Sequence, residues 1–560
     1  MKRFLALTLA VLMAMALLTG CGGSAQPAAG SDKPAEAQPA ADAQPAADAQ
    51  SAEELPLKEL SLPLCEEKQE LTVWLAYSGT VMKDLNEIES VKKMEELTNV
   101  HINWVPVNQD DMVQKFGTLI ASGDLPDIIQ PNYYPGGYEA GVEDGIIHPD
   151  MDYYIRNYMP NYMALLNSNE QLKREATADS GKMIVAKVIV GQANTVESEG
   201  TYMGLAYRAD LLEQLGMDVP TTIDEWHDVL VAAKNAGIKY PFVLDTDGGS
   251  AIACSWGVGT QSGDREFLQV EDDKVVCGQA KDSWKGYLDT MKQWYAEGLI
   301  NPNFTTFHFY LDTPASVQNN ESILYSMALS AFTGSNYATF HMIDNPDAFL
   351  QPIAAPALNP GDEPMQWGDR KIGKEGAFIS ATCKNPELAA MWLDFQYSQQ
   401  GEYLNWYGIE DVTYTIDENG EPQFTDFVLN NADGMPPKDF LQRYAFNEGE
   451  AYLGKHDISA SWKISAAQTE GPNYQLEAVK IWSSPEKNVY LTNSLTLTAE
   501  ESAINSKFTD VLTMIDEYTI GYITGQDVKP FEEYVQDLYA YGLQDVLDVY
   551  QAAYDRYLAR

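Results

Sequence analysis

The amino-acid sequence predicts an α/β protein of mainly parallel sheets flanked by helices, and three observations carry that expectation. Residues 71–129 alternate strand, helix, strand, helix, strand, and the alternation resumes after Gly204. Apolar residues make up 45% of the 560 and aromatic residues 11%, enough for packed cores in two or more domains.

The first strand is Leu71-Thr72-Val73-Trp74-Leu75-Ala76, with Trp74 free to take either sheet face. A helix is predicted through Val91 to Leu97, a strand from Val100 to Val107, and a second helix from Met112 to Ala121, stopped by Ser122-Gly123. Asp127-Ile128-Ile129 is the third strand. Parallel sheets of this kind bind ligands beyond the carboxyl ends of their strands.

Gly204 to Tyr207 reads as a strand. Thr222 and Glu225 have capping-box spacing ahead of apolar positions at Trp226, Val229, Leu230 and Ala233. A helix from Trp284 to about Glu297 stops at Gly298, and another starts at Asn385-Pro386-Glu387, with asparagine as N-cap and proline in the first turn. Beyond Phe508 the chain reads as mostly helical, with apolar faces marked by residues such as Tyr518, Tyr534, Leu538 and Tyr550. Trp226, Trp284, Trp294 and Trp392 have the spacing of core residues on helices, and Tyr554 and Arg556 are expected to pack the terminal helix.

Ahead of the globule, Met1-Lys2-Arg3 and the apolar run Phe4 to Leu18 form an export signal too short to span a bilayer comfortably. It ends in Leu18-Thr19-Gly20-Cys21, which resembles a bacterial lipobox. The resemblance implies cleavage before Cys21, diacylglycerol on its sulfur, and stable anchoring to the cell membrane through two or more acyl chains. Residues 21–69 then contain an Ala/Pro-rich tether in which Ala-Gln-Pro-Ala-Ala-Asp occurs twice, at 37–42 and 43–48, a composition that cannot build a core.

The net charge of −46 sits on a sequence apolar enough to fold, so the acidity belongs to a surface that disfavours nucleic acid and anionic lipid. Cys65, Cys254, Cys277 and Cys383 show no metal-ligand spacing; Cys254 and Cys277 are nearest in sequence, and small buried thiols are as good a reading as a disulfide. No nucleotide loop, HExxH or GxSxG occurs. Asp245-Thr246-Asp247-Gly248 and Asp417-Glu418-Asn419-Gly420 are oxygen-rich but lack the other ligands of an EF-hand loop, so turns are expected there, the second an Asn-Gly hairpin, with bound calcium as the alternative. No cofactor is otherwise expected.

Several phrases resemble extracellular solute-binding proteins of family 1, the lipoprotein receptors of ATP-driven importers, in their LplA-like and LipO-like branch. They are Leu119 to Ile129 (LIASGDLPDII), Tyr207 to Leu212 with Gly216 to Trp226, Glu297 to Pro302, Lys384 to Glu387 before Trp392, Tyr407-Gly408-Ile409, and Ala553 to Tyr557. The resemblance implies a two-lobed periplasmic-binding-protein-like fold of type II, each lobe discontinuous in sequence, with a hinge between them. The expected division is 70–190 and 336–397 for lobe 1, and 191–335 and 398–560 for lobe 2, with crossovers near 185–206, 330–350 and 395–400. It implies a monomeric, non-catalytic receptor that closes on a solute and delivers it to the permease subunits of an ABC importer.

Eleven tryptophans and thirty-two tyrosines suit a carbohydrate, whose C–H faces lie on aromatic rings while its hydroxyls need side-chain partners; an oligosaccharide is the expected solute. Candidate contacts are Tyr77 and Ser78 after the first strand, and Gln130, Asn132, Tyr133 and Tyr134 after the third. Asp124 comes from the family phrase, Trp256 from the second lobe, and Trp367, Trp406 and Trp462 from segments of low periodicity. The competing readings are a surface glycoside hydrolase or lyase, and a receptor for a peptide or other non-sugar solute.

Overall fold

The structure is a computed structural model that describes residues 59–131, 133–191, 203–244, 251–259, 267–307, 309–328, 350–364, 372–449, 453–457, 459–468, 474–482, 491–492, 494–498 and 500–560. Its strands are β1 (Gln69–Ala76), β2 (Val100–Val107), β3 (Ile128–Gln130), β4 (Ala186–Gly191), β5 (Met203–Arg208), β6 (Phe242–Val243), β7 (Leu268–Glu271), β8 (Lys274–Cys277), β9 (Leu324–Ala328), β10 (Leu350–Ile353), β11 (Ile372–Ile379), β12 (Tyr414–Ile416), β13 (Pro422–Phe424) and β14 (Lys455–Asp457).

A six-stranded sheet has the order β14-β4-β11-β3-β1-β2. β1 runs parallel to β2 and β3, and β14 parallel to β4, while β11 returns antiparallel between β3 and β4. A four-stranded sheet has the order β10-β5-β9-β6, in which β5 is antiparallel to both neighbours and β6 parallel to β9, so this sheet is mainly antiparallel rather than mainly parallel as the sequence predicts. β7–β8 and β12–β13 are separate hairpins. Two sheets, each with its own apolar cluster and covering helices, make the two-lobed, type II arrangement that the resemblance implies.

Local chemistry explains the elements. The helix Ile223–Asn235 opens on the reciprocal bonds of a capping box, Glu225 N–H to Thr222 Oγ1 at 3.3 Å and Thr222 N–H to Glu225 Oε2 at 3.1 Å. Helix Pro386–Phe395 is capped by Asn385, whose Oδ1 accepts from Leu388 N–H at 3.3 Å. Helix Met112–Ser122 ends on Gly123 at φ +69°, a left-handed conformation that glycine adopts without penalty. Trp226, Trp284, Trp294 and Trp392 are all buried, and Trp74 packs its ring against Phe116 at 5.7 Å.

The division of the chain differs from expectation in two places. β10 pairs with β5, so residues 350–353 belong to the small sheet and the chain returns to the large one only at β11. The described residues between 399 and 457 stay with the large lobe: the helix Gln399–Trp406 packs on the helix Glu89–Thr98, and β14 extends the large sheet beside β4. The sequence pattern misplaced both because β10 and β14 are strands of four and three residues, too short to show a period.

The four cysteines among the described residues, Cys65, Cys254, Cys277 and Cys383, are free thiols. Burial pushes Cys254 and Cys277 up to about 12. Asp417 closes the β12–β13 hairpin: its Oδ1 accepts from Asn419 N–H at 2.8 Å and Glu421 N–H at 3.0 Å, and its Oδ2 from Gln423 Nε2 at 3.0 Å. These bonds occupy the carboxylate as a turn requires. Residues 245–250 lie outside the described residues.

Candidate functional site

The parallel strands of the large sheet deliver β1, β3, β4 and β14 to one edge, which ends in Ala76, Gln130, Gly191 and Asp457. The next described strand after Gly191 is β5 of the small sheet, and ligands of such sheets bind beyond the carboxyl ends of the strands. Tyr77, immediately after β1, is held by its N–H to Val107 O at 2.8 Å and stacks on Phe446 at 6.5 Å. It is 9% exposed, and its hydroxyl has no hydrogen-bond partner among the described residues. Burial pushes that phenol up to about 12, so it is a neutral donor and acceptor. Ser78 beside it is half-buried, and the next turn is fixed by Gln442, whose Oε1 accepts from Thr80 N–H and Val81 N–H, each at 3.2 Å.

At the other end of the same edge, β14 is backed by buried polar groups. Lys455 Nζ donates to Glu402 Oε1 at 2.7 Å with both side chains almost wholly enclosed. Asp457 accepts from Tyr407 Oη at 2.9 Å, Ser459 N–H at 2.8 Å and Ser459 Oγ at 2.6 Å. Burial raises the carboxyls of both Glu402 and Asp457, with Lys455 pulling each back toward the charged form.

A cavity of about 420 Å³ lies between the lobes. The large lobe lines it with Tyr133, Tyr134, Tyr138 and Lys187, and the small lobe with Ser494 to Leu497, Asn505 and Arg560. Tyr133 is 40% exposed and so presents an open ring face. Tyr134 is buried, its hydroxyl donating to Asp144 Oδ2 at 2.9 Å and its ring edge-on to Phe116 at 5.9 Å. The Lys187 ammonium sits 4.9 Å from the centre of the Tyr138 ring, which adds a cationic face to the wall.

Tyr77, Ser78 and Gln130 thus lie on the carboxyl edge, and Tyr133 and Tyr134 on the cavity that continues from β3. Asp124 does not join them. It is exposed at the turn before β3, at the opposite edge of the sheet, with its N–H donating to Ser122 Oγ at 3.2 Å. Trp256 is a core residue of the small lobe, edge-on to Tyr287 at 5.5 Å. Trp406 is buried as well: its indole donates to Lys455 O at 2.7 Å and its ring stacks on His456 at 4.7 Å, so it supports β14 rather than forming an open wall. Asn132, Trp367 and Cys21 lie outside the described residues; Trp462 falls in the helix Ser459–Gln468, with its side chain outside them.

Phe446, Gln442, Asp457, Lys187 and Arg560 were missed by sequence reasoning because each comes from a distant segment, and Tyr138 because it lies just past the loop that was read as the strand end. The family phrases have a different use. Arg208, fully buried, pairs with Asp210 through Nε and Nη2, each at 2.7 Å; Asn301 Oδ1 accepts from Leu244 N–H at 2.9 Å; Asp127 Oδ2 accepts from Thr72 N–H at 2.8 Å. These phrases hold the scaffold together, which explains why they identify a fold more sharply than a ligand.

The model of the family described as bacterial extracellular solute-binding protein matches residues 86–403. The fructooligosaccharide ABC transporter substrate-binding protein FusA of Streptococcus pneumoniae serotype 4 is 24% identical over 532 residues, covering 90% of this chain and 93% of that protein. The melibiose/raffinose/stachyose-binding protein MelE of Bacillus subtilis is 24% identical over 57% of this chain and 68% of its own length. Among solved structures, FusA in complex with kestose superposes with a TM-score of 0.65 at 22% identity, over 88% of this chain and 99% of that one. A solute-binding protein from Bifidobacterium longum subsp. infantis superposes with a TM-score of 0.69 at 18% identity, over 88% and 98%. With the fold, the interlobe cavity and this match in agreement, the chain belongs to the bacterial extracellular solute-binding protein family, whose members bind a solute rather than transform it.

Proposed function

We propose that this protein is the membrane-anchored receptor of an ABC importer and captures a neutral oligosaccharide between its lobes. The observation that carries the reading is the interlobe cavity with an open tyrosine face, Tyr133, and polar groups from both lobes around it. A sugar ring needs that pairing of flat apolar surface with fixed donors and acceptors. Tyr77 and Gln130, both buried, and the half-buried Ser78 stand on the carboxyl edge of the same sheet. The length over which FusA aligns supports a fructose-containing oligosaccharide as the first solute to try.

Titration calorimetry against kestose, nystose, raffinose, stachyose and a short peptide tests this. Heat from at least one oligosaccharide, with none from the peptide, is the expected result; silence across the sugars with binding of the peptide would overturn it. Anchoring rests on the lipobox-like Leu18 to Cys21 and the tether behind it. Cys21→Ser should release the protein from the membrane fraction, and retention there would contradict a lipid on that sulfur. No helix among the described residues is long and apolar enough to cross a membrane.

A further inference from the structure

Asp179 stands in a tight turn of the large lobe just before β4, closed by Ala178 N–H to Lys182 O at 2.8 Å and Gly181 N–H to Ala178 O at 2.9 Å. Two arginines of the small lobe converge on its carboxylate. Arg556 Nε donates to Oδ2 at 2.8 Å, and Arg560 donates to Oδ1 from Nε at 2.8 Å and from Nη2 at 2.6 Å. Arg556 lies in the last turn of the helix Leu543–Leu558 and Arg560 two residues beyond its end, so both reach the same turn of the large lobe. That helix is fastened into the small lobe by Val546, Tyr550 and Ala553.

The two guanidinium groups are not equally supported. Arg556 also makes a bidentate pair with Glu501, at 2.8 and 2.7 Å, and donates to Thr496 O at 2.9 Å. Arg560, whose side chain is only 2% exposed, has Asp179 as its ion-pair partner and Ser494 O at 2.9 Å as a further acceptor. Arg560 is at the same time part of the cavity wall. Among the described residues, these contacts to Asp179 are the ion pairs that join the two lobes.

We propose that Asp179 is a positioning residue that clamps the lobes through Arg556 and Arg560 and thereby sets the width of the interlobe cavity. The proposal rests on reading that cavity as part of the solute cleft. Without the carboxylate, the Arg560 guanidinium is left enclosed without its counter-charge, and the lobes part locally as it moves to water. Arg556 stays with Glu501, so the loss is confined to the seam and does not spread through either core.

Hydrogen exchange on the ligand-free full chain tests this, comparing wild type with Asp179→Asn and Arg560→Gln. Amides of 133–139 and 500–505, segments that both contribute to the cavity wall, should exchange at least threefold faster in both variants, while β1 and the helix Asp282–Ala296 keep wild-type rates. Unchanged rates at the cavity in both variants would overturn the clamp, as would equal acceleration in the two cores. No sugar is present in this measurement, so its outcome is independent of the calorimetric test of the solute.

Discussion

The large lobe supports the β14 end of its carboxyl edge with buried charge, and the small lobe holds its helices and β5 with aromatic packing. Beside β14 the pairs Glu402–Lys455 and Asp457–Tyr407–Ser459 hold a strand only three residues long in register. In the small lobe Tyr518 stacks on Tyr534 at 3.8 Å, and Trp482 lies across β5 with its indole shared between Leu205 O and Ile353 O, each at 3.1 Å. The first kind of support fixes hydrogen-bond direction and fails steeply when one partner is lost; the second depends on volume and fails by degrees.

The comparison breaks most directly at the buried pair. Glu402→Gln removes the carboxylate to which the buried Lys455 ammonium donates and should lower unfolding stability by about 3–5 kcal/mol, read from a denaturant melt. Replacing both residues by Leu and Met should recover most of that loss. If the single change is neutral, charge is not what holds β14.

A second test uses pH. Asp394 is pushed up to about 7, chiefly by burial, against hydrogen bonds from Tyr162 N–H, Asn161 N–H and the Asn161 amide that favour its charged form. The folded protein therefore holds a proton that the unfolded chain releases near pH 4. Stability from this group falls as pH rises from about 4 to about 7 and levels off above, by up to about 4 kcal/mol. Melts across that window should show the slope in the wild type, and Asp394→Asn should remove it.

On the aromatic side, a Cβ added at Gly204 would stand 2.1 Å from the Trp482 ring. Gly204→Ala should cost about 1–3 kcal/mol through displacement of that ring, with a change in tryptophan emission. Tyr77→Phe sharpens the functional side of the comparison. Its hydroxyl has no partner among the described residues, so stability should hold, while affinity for the bound oligosaccharide should fall by about 3- to 10-fold if that group contacts sugar. The smallest effect concerns the thiols of the small lobe. Cys254 and Cys277 should stay unlabelled by iodoacetamide in the native protein and react only on unfolding.

Much of the scaffold was legible because its signals are local. The Thr222–Glu225 box, the Asn385-Pro386 start and the Gly123 stop each act within one helical turn, and the structure places each where the residues indicate. The site was less legible. Tyr77, Ser78 and Gln130 follow from the rule that ligands meet strand ends, but Asp124 was carried by a phrase whose work is structural, and Trp256 and Trp406 were chosen for residue type when their surroundings are core.

By itself the sequence determined the alternation of strands and helices, the helix boundaries and the family, since periodicity and capping depend on neighbours within a few residues. Tertiary structure alone decided which lobe receives β10 and β14, that Trp406 supports a strand, and that Asp179 meets Arg556 and Arg560. Such contacts join residues up to 381 positions apart, and no local pattern encodes a partner that only the folded chain brings near.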